Sequence, residues 1–126
     1  MEILGTTLRI YVDDTAALDT TAAFYERITG TRAQRFERGG VSVAAVGCFL
    51  VMSGPREEID LLRKVTATVA VKDVEEAHIT LTAAGAQIVA GPVATPVGRN
   101  LIVLHPDGSV FEYVDRGGPS HGRQEP

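Results

Sequence analysis

The sequence lacks several features that mark particular classes of protein. It has one cysteine, Cys48, and no tryptophan among its 126 residues. A single cysteine excludes an internal disulfide and gives no indication of secretion. The 12 Lys and Arg residues are scattered and the net charge is −4, which argues against a basic face for nucleic-acid phosphates. No apolar run approaches the roughly 20 residues that are needed to span a bilayer.

The remaining composition is typical of a small globular protein. Hydrophobic residues make up 44% of the chain and charged residues 22%, which are ordinary proportions, and the length predicts one domain. No basic and apolar segment at the N-terminus indicates an export signal, so we expect a soluble cytoplasmic protein. Cys48 lies in an apolar run, which predicts a small buried side chain rather than a reactive thiol.

An internal repeat is the most informative pattern. The segment 7–14, which reads TLRIYVDD, returns in similar form at 66–73 as TATVAVKD. Each copy alternates apolar and other residues as a half-buried strand does, and each leads into a stretch with helical apolar spacing. A repeat with a period near half the chain predicts two similar modules that face each other.

Both modules predict the same order of elements. In the first, the opening strand around Leu8–Val12 is followed by a helix at 16–29, which Gly30 ends, and by strands at 32–36, 41–46 and 49–53. In the second, a strand at 66–71 is followed by a helix from Val74 to Ala84, and by strands at 87–90, 100–104 and 110–114. We therefore predict an α+β fold of two βαβββ modules. The helix faces are predicted to bury Phe24 and Tyr25, among others.

The predicted domain covers residues 1–116. Its parts are module one at about 5–54, a charged connector with one or two helical turns at 55–64, and module two at about 65–116. The last residues, 117–126, contain Gly, Pro, Ser and charged residues without periodicity, which predicts a disordered tail.

Five short stretches form a further pattern, at 10–14, 24–30, 69–73, 83–85 and 105–112. In this order and spacing they resemble the vicinal oxygen chelate superfamily. That group includes glyoxalase I, extradiol dioxygenases, and fosfomycin and bleomycin resistance proteins. The resemblance implies that the two modules form a curved mixed sheet around a concave cup, with the helices on the outer face.

The resemblance also implies where a metal would bind. In the family's enzymes, up to four side chains hold a divalent metal, typically two histidines and two carboxylates. The corresponding positions here are Thr7, Thr66, Val51 and Glu112. Two hydroxyls, a valine and one carboxylate do not supply the donors that transition metals require. We therefore expect no metal and no other cofactor. His105, at a turn, has either a local turn role or a ligand or catalytic role.

Strand alternation predicts the lining of the cup. Residues of one parity face inward, and those of the other, such as Leu50 and Met52, pack under the helices. The inward set is mostly apolar with a few polar groups, as in small-molecule pockets. The candidate ligand-binding residues are Arg9, Tyr11, Phe49, Val51, Thr66, Thr68 and Glu112. Arg9 and Glu112 are as consistent with pairing to each other as with ligand recognition, because a lone buried charge is costly.

Four functions remain open. The loss of three metal positions favours a metal-independent binding protein of the bleomycin-resistance type, which sequesters an antibiotic or another hydrophobic or aromatic natural product as a homodimer. A metal-free isomerase, epimerase or cyclase with Glu112 as general base is the first alternative. A glyoxalase-like or dioxygenase-like metalloenzyme with other ligands is the second. A non-catalytic interaction module is the third, and a cup filled by its own side chains would favour it. As partners we expect a small molecule and a second copy of the chain, and neither nucleic acid nor a membrane.

Overall fold

The computed structural model describes residues 1–95 and 98–116. Its elements, in chain order, are β1 (Ile3–Tyr11), α1 (Thr15–Thr29), β2 (Gln34–Arg38), β3 (Val41–Val46), β4 (Phe49–Ser53), α2 (Arg56–Leu62), β5 (Ala67–Val71), α3 (Val74–Ala83), β6 (Gln87–Thr95), β7 (Gly98–Leu104) and β8 (Val110–Asp115). A strand, a helix and three strands thus occur twice, with α2 between the repeats. The predicted α+β class and the two βαβββ modules are confirmed. The tail predicted at 117–126 lies outside the described residues.

The chain divides into two compact units. The first unit is Thr7–Lys64, and the second unit consists of Met1–Thr6 and Val65–Pro126. The opening residues of β1 therefore belong to the second unit, where the backbone N–H of Lys72 donates to the carbonyl oxygen of Glu2 at 3.0 Å. The chain therefore passes from one unit to the other at two places, within β1 after Thr6 and between the repeats after Lys64.

In the first unit the strands lie in the order β2-β3-β4-β1. β2, β3 and β4 are antiparallel, while β4 and β1 run parallel. α1 begins after Asp14, whose carboxylate accepts from the Ala17 N–H at 2.8 Å, and it ends at Gly30 with a φ of 71°. A residue without a Cβ takes this left-handed conformation at no steric cost. The inner face of α1, with Leu18 and Ala22, packs against one face of this sheet.

α2 packs against the opposite face of the same sheet. Ile59 is buried in a cluster with Val41, Val43 and Met52, and Leu62 packs at its edge. The helix has seven residues and no side-chain hydrogen bond at its N-cap, Pro55. Isolated helices of this length are unstable in water, so α2 depends on these packing contacts. The connector predicted as one or two helical turns therefore covers part of the first unit's sheet.

In the second unit the strands β5-β8-β7-β6 are neighbours in that order. β5 and β8 run parallel, and the other pairs are antiparallel. α3 begins after Asp73, whose carboxylate accepts from the Glu75 N–H at 2.8 Å. Ala77 and Leu81 of α3 pack on a core that includes Val69 and Val71, as the strand alternation predicted.

Gly98 is required where β7 begins beside β8. Its φ is +152°, and a Cβ built there would lie 1.8 Å from the carbonyl oxygen of Asp115. No side chain fits within that distance, so a substitution must move the β7 or β8 backbone. Glycine therefore permits the close approach of these two strands.

Phe24 and Cys48, both predicted to be buried, are exposed. Phe24 is 55% exposed, because Tyr25 takes the inward direction on α1 and Phe24 contacts it only edge-on, with ring centroids 5.2 Å apart. Cys48 is exposed as well, because it lies in the tight turn between β3 and β4 rather than within a strand. Among the described helices, none is long and apolar enough to cross a membrane.

Candidate functional site

A buried carboxylate lies on the sheet face of the second unit that is opposite α3. Glu112, in the middle of β8, is only 6% exposed. Its Oε1 accepts a hydrogen bond from Thr68 Oγ1 at 3.1 Å, and its Oε2 accepts one from Asn100 Nδ2 at 3.2 Å. Thr68 is on β5 and Asn100 on β7, the two strands that flank β8. Two neutral donors, one from each side, therefore fix the orientation of the carboxylate.

Three apolar side chains also lie beside Glu112 on this face. Ile102 is its cross-strand neighbour on β7, and Ala70 and Val114 form the next pair along β5 and β8. Polar interactions are stronger in such surroundings than in water. An oriented carboxylate there has two chemical uses. It can accept a hydrogen bond from a ligand, or it can take and return a proton as a general base.

Arg9 and Tyr11 lie together on one face of β1 in the first unit. Arg9 Nη1, at 3.2 Å, and Tyr11 OH, at 3.0 Å, both donate to the carbonyl oxygen of Leu62. Leu62 is the last residue of α2, where carbonyl groups have no partner within the helix. The guanidinium of Arg63 lies over the ring of Tyr11, 4.5 Å from its centroid, which is cation–π geometry. The structure therefore brings these two predicted site residues together, and the end of α2 contacts both.

The predicted inward direction of β4 is wrong. The parallel register places Val51 beside Ile10 and Leu50 beside Arg9, so Val51 points toward α1 and is fully buried in the α1 cluster. Phe49 has the same direction and stacks on Tyr25 of α1, with centroids 4.0 Å apart. Leu50 and Met52, predicted to pack under the helix, instead lie on the Arg9 and Tyr11 face with α2.

Thr7 and Thr66, the threonines at two of the implied metal positions, are less buried than Thr68. Thr66 is exposed, and its backbone N–H donates to the carbonyl oxygen of Val110 at 2.7 Å. Thr7 is half-buried. By contrast Thr68, one pleat further along β5, is buried and hydrogen-bonded to Glu112.

His105 has both a turn role and a side-chain contact. Its backbone groups close the turn with Ser109 and Gly108. Its Nε2 lies 2.7 Å from the hydroxyl of Tyr113, and its ring stacks on Phe111 with centroids 4.4 Å apart. Burial raises the pKa of the Tyr113 phenol above its usual value. Tyr113 follows Glu112 on β8, so the histidine cluster lies on the opposite face of the sheet from the Glu112 carboxylate.

Asp115 has a structural role that the sequence did not indicate. Its side chain is fully buried and accepts from the Val74 N–H at the start of α3 and from Arg99 Nη2, both at 2.7 Å. Arg99 also contacts Asp73 at 3.2 Å and Glu75 at 3.4 Å. Asp115 raises the pKa of Arg99 through its hydrogen bond.

Asn100 is the site residue that sequence reasoning missed. It is a polar residue on β7 and shares its face with Ile102 and Leu104. A polar side chain on an otherwise apolar strand face is the signal that could have revealed it. The carbonyl oxygen of Leu62 has no comparable signal, since any residue at that position carries one.

The metal that the resemblance implies does not fit these side chains. Within 1–95 and 98–116, no group of three or more His, Cys, Asp or Glu residues could hold a metal ion. Of the four positions, Val51 carries no donor and packs under α1, and Glu112 is oriented by two neutral donors. That the protein uses no metal remains a prediction.

Comparisons with known proteins connect this fold to solved structures. No protein-family model matches the chain, and no curated protein matches it. An uncharacterized protein from Methanosarcina mazei shares 38% sequence identity over 93% of this chain and 95% of its own, with a TM-score of 0.82. Methylmalonyl-CoA epimerase from Mycobacterium tuberculosis shares 19% identity over 95% and 92%, with a TM-score of 0.66. A second methylmalonyl-CoA epimerase structure shares 20% identity over 91% and 98%, with a TM-score of 0.56.

These matches differ in what they show. The Methanosarcina protein is similar enough in sequence, over nearly the whole of both chains, to share a family with this one. The two epimerases share the fold alone. Together with the repeated βαβββ module, the matches show that the chain belongs to the family of the Methanosarcina mazei protein and has the fold of the two epimerases.

Proposed function

We propose that the protein binds a small organic molecule without a metal ion, and that Glu112 is the polar anchor of the site. The ligand is a hydrophobic or aromatic natural product, such as an antibiotic, of the kind that the bleomycin-resistance members sequester. The homodimer that the resemblance implies is part of this proposal, and sedimentation velocity of the purified protein tests it.

The single observation that supports the proposal is the position of the Glu112 carboxylate. It is buried, and Thr68 and Asn100 hold both of its oxygens at fixed positions. A carboxylate in that setting suits a ligand that offers an N–H or O–H donor, because hydrogen bonds with one charged partner are stronger than neutral ones. The apolar neighbours Ala70, Ile102 and Val114 suit the remainder of an organic ligand.

Titration of the wild-type protein with planar and peptidic natural products, followed by calorimetry, tests the proposal. Glu112→Gln keeps the shape of the side chain and removes its charge, so we expect affinity to fall about 10- to 100-fold, the usual worth of a hydrogen bond to a charged group. The matched control is Glu57→Gln, because Glu57 is exposed in the first turn of α2. If no compound in the panel binds saturably, or if Glu112→Gln binds as well as wild type, the proposal is wrong.

A metal-free isomerase or epimerase is the second candidate. The same observation favours it, since a general base must be held in one orientation within reach of its substrate. The fold likeness to methylmalonyl-CoA epimerase makes methylmalonyl-CoA a reasonable first test compound. Exchange of its α-hydrogen in D2O, followed by NMR, measures the activity directly. Exchange that depends on wild-type protein and disappears in Glu112→Gln would favour the enzyme, and no exchange with any acidic carbon compound would remove it.

A further inference from the structure

The sheet face beneath α2 places two hydrogen-bond donors next to an apolar cluster. The carbonyl oxygen of Leu62 receives two donors, the guanidinium of Arg9 and the hydroxyl of Tyr11. Next to them, Ile59 fills an apolar cluster that includes Val43 and Met52. One oxygen acceptor and one branched apolar group are therefore held side by side on this face.

We propose that this face is a ligand site that α2 fills in the present structure, with the Leu62 carbonyl in the place of a ligand oxygen. The inference rests on the proposed binding function and names the ligand class for the first unit. That class is an apolar molecule with one carboxylate. A ligand enters when α2 leaves the sheet, and the carboxylate then accepts from Arg9 and Tyr11.

The donor pair explains the choice of a carboxylate. A guanidinium and a phenol hydroxyl both donate, and a charged acceptor forms stronger and shorter hydrogen bonds with a guanidinium than a neutral carbonyl does. The apolar cluster explains the rest of the molecule. It has room for the contacts that Ile59 and Leu62 now make, and an alkyl or aryl group of similar size would replace them.

α2 has the properties of a segment that can leave. It has seven residues, its N-cap Pro55 forms no side-chain hydrogen bond, and Ile59, at 8% exposure, is its one buried side chain. Leu61, on the outer side, is 58% exposed. Local opening is easiest where few apolar groups are buried. A ligand that binds only the open form binds more weakly by the fraction of protein that is open, so loosening α2 must strengthen binding.

The experiment compares two truncations within α2. Ile59→Ala removes the buried anchor, whereas Leu61→Ala removes a similar volume from the exposed side of the same helix. The probes are octanoate and octylammonium, which share a chain and differ in the sign of their charge. Calorimetry measures their affinity, and hydrogen exchange of the Ile59 and Arg63 amides reports the docking of α2, since both amides donate within this segment.

We expect octanoate to bind Ile59→Ala at least about tenfold more tightly than wild type, because a buried truncation of this kind shifts the opening equilibrium by that much or more. Leu61→Ala should bind octanoate as wild type does. In wild type, saturating octanoate should speed exchange of the two α2 amides. Adding Tyr11→Phe to Ile59→Ala should weaken octanoate binding about fivefold, the worth of one hydrogen bond, whereas adding Tyr25→Phe on α1 should not.

Equal octanoate affinity in Ile59→Ala and wild type would overturn the inference, as would equal binding of octylammonium. If Ile59→Ala does not fold, Ile59→Val gives the same comparison with a smaller change, and exchange of the wild-type amides decides independently. These results are separate from the proposed function. A protein whose natural-product binding depends on Glu112, but which shows no effect of octanoate on α2, would refute this inference alone.

Discussion

Two ion pairs of nearly equal length should contribute differently to the free energy of unfolding, because one is buried and the other is exposed. Arg99 and Asp115 are 2.7 Å apart, with side-chain exposures of 21% and 0%. Arg35 and Asp19 are 2.6 Å apart, with exposures of 48% and 67%. Replacing each aspartate with alanine makes the same chemical change at both places. Only at Asp115 does it remove a fully buried acceptor.

The expected cost of Asp115→Ala follows from two partners that lose this acceptor, the Val74 N–H and the Arg99 guanidinium. The Val74 N–H at the start of α3 loses a capping bond worth about 1 kcal/mol. Arg99 loses a hydrogen bond to a charged group worth about 1.5–3 kcal/mol, reduced because Asp73 and Glu75 remain. We therefore expect a loss of about 2–4 kcal/mol of unfolding free energy. Asp19→Ala should change it by less than about 1 kcal/mol, since exposed pairs contribute little.

Urea unfolding followed by far-ultraviolet circular dichroism measures both variants. With a slope of about 1–3 kcal/mol per molar urea, the midpoint of Asp115→Ala should fall by roughly 1–2 M while that of Asp19→Ala stays near wild type. The reasoning is refuted if the two variants lose the same stability. It is also refuted if Asp115→Ala matches wild type, because the buried acceptor would then stabilise nothing.

Three further predictions concern single residues. Burial raises the pKa of the Tyr113 phenol above its unfolded value of 10.0. The stability that the protonated phenol contributes is therefore complete below about pH 10 and is lost as the pH rises beyond it. Tyr113→Phe should show a smaller alkaline loss of stability in urea titrations, and an unchanged loss would contradict this. Gly98→Ala should cost more than about 3 kcal/mol, because its Cβ would meet the Asp115 carbonyl, whereas Gly5→Ala, with nothing within 4 Å, should be close to neutral; thermal melts of both test this. Cys48 should react with Ellman's reagent in the native protein because it is exposed, and protection until denaturant is added would show the opposite.

The elements that could be predicted are those with a clear period and a clear stop. β3 and β4 begin and end at the predicted residues, and α1 differs by one residue at its start. In these segments the alternation or the helical spacing runs between turn glycines, so local chemistry sets both ends. β6 is longer than predicted and continues through Gly91 and Pro92 with register shifts, because an edge strand tolerates residues that usually break strands.

The direction of β4 could not be predicted for a different reason. Its sequence, FLVMS, is apolar on both faces, so it has no alternation to show which side faces a helix. Both faces are covered, one by α1 and the other by α2, which is why each can be apolar. In β8, by contrast, Glu112 marks one face, and its predicted inward direction agrees with a core on the Tyr113 side. The contact of α2 with Arg9 and Tyr11 depends on a backbone carbonyl, which no sequence pattern encodes.

The assignment of residues 1–6 to the second unit affects how the protein can be dissected. The sequence repeat suggests cutting the chain in the connector. Such a cut would separate residues 1–6 from the unit to which they belong, and the Lys72 amide would lose its acceptor at Glu2. Neither half would then be a complete copy of its unit. A circularly permuted chain, or a synthetic peptide of residues 1–6 added in trans, would restore the missing edge.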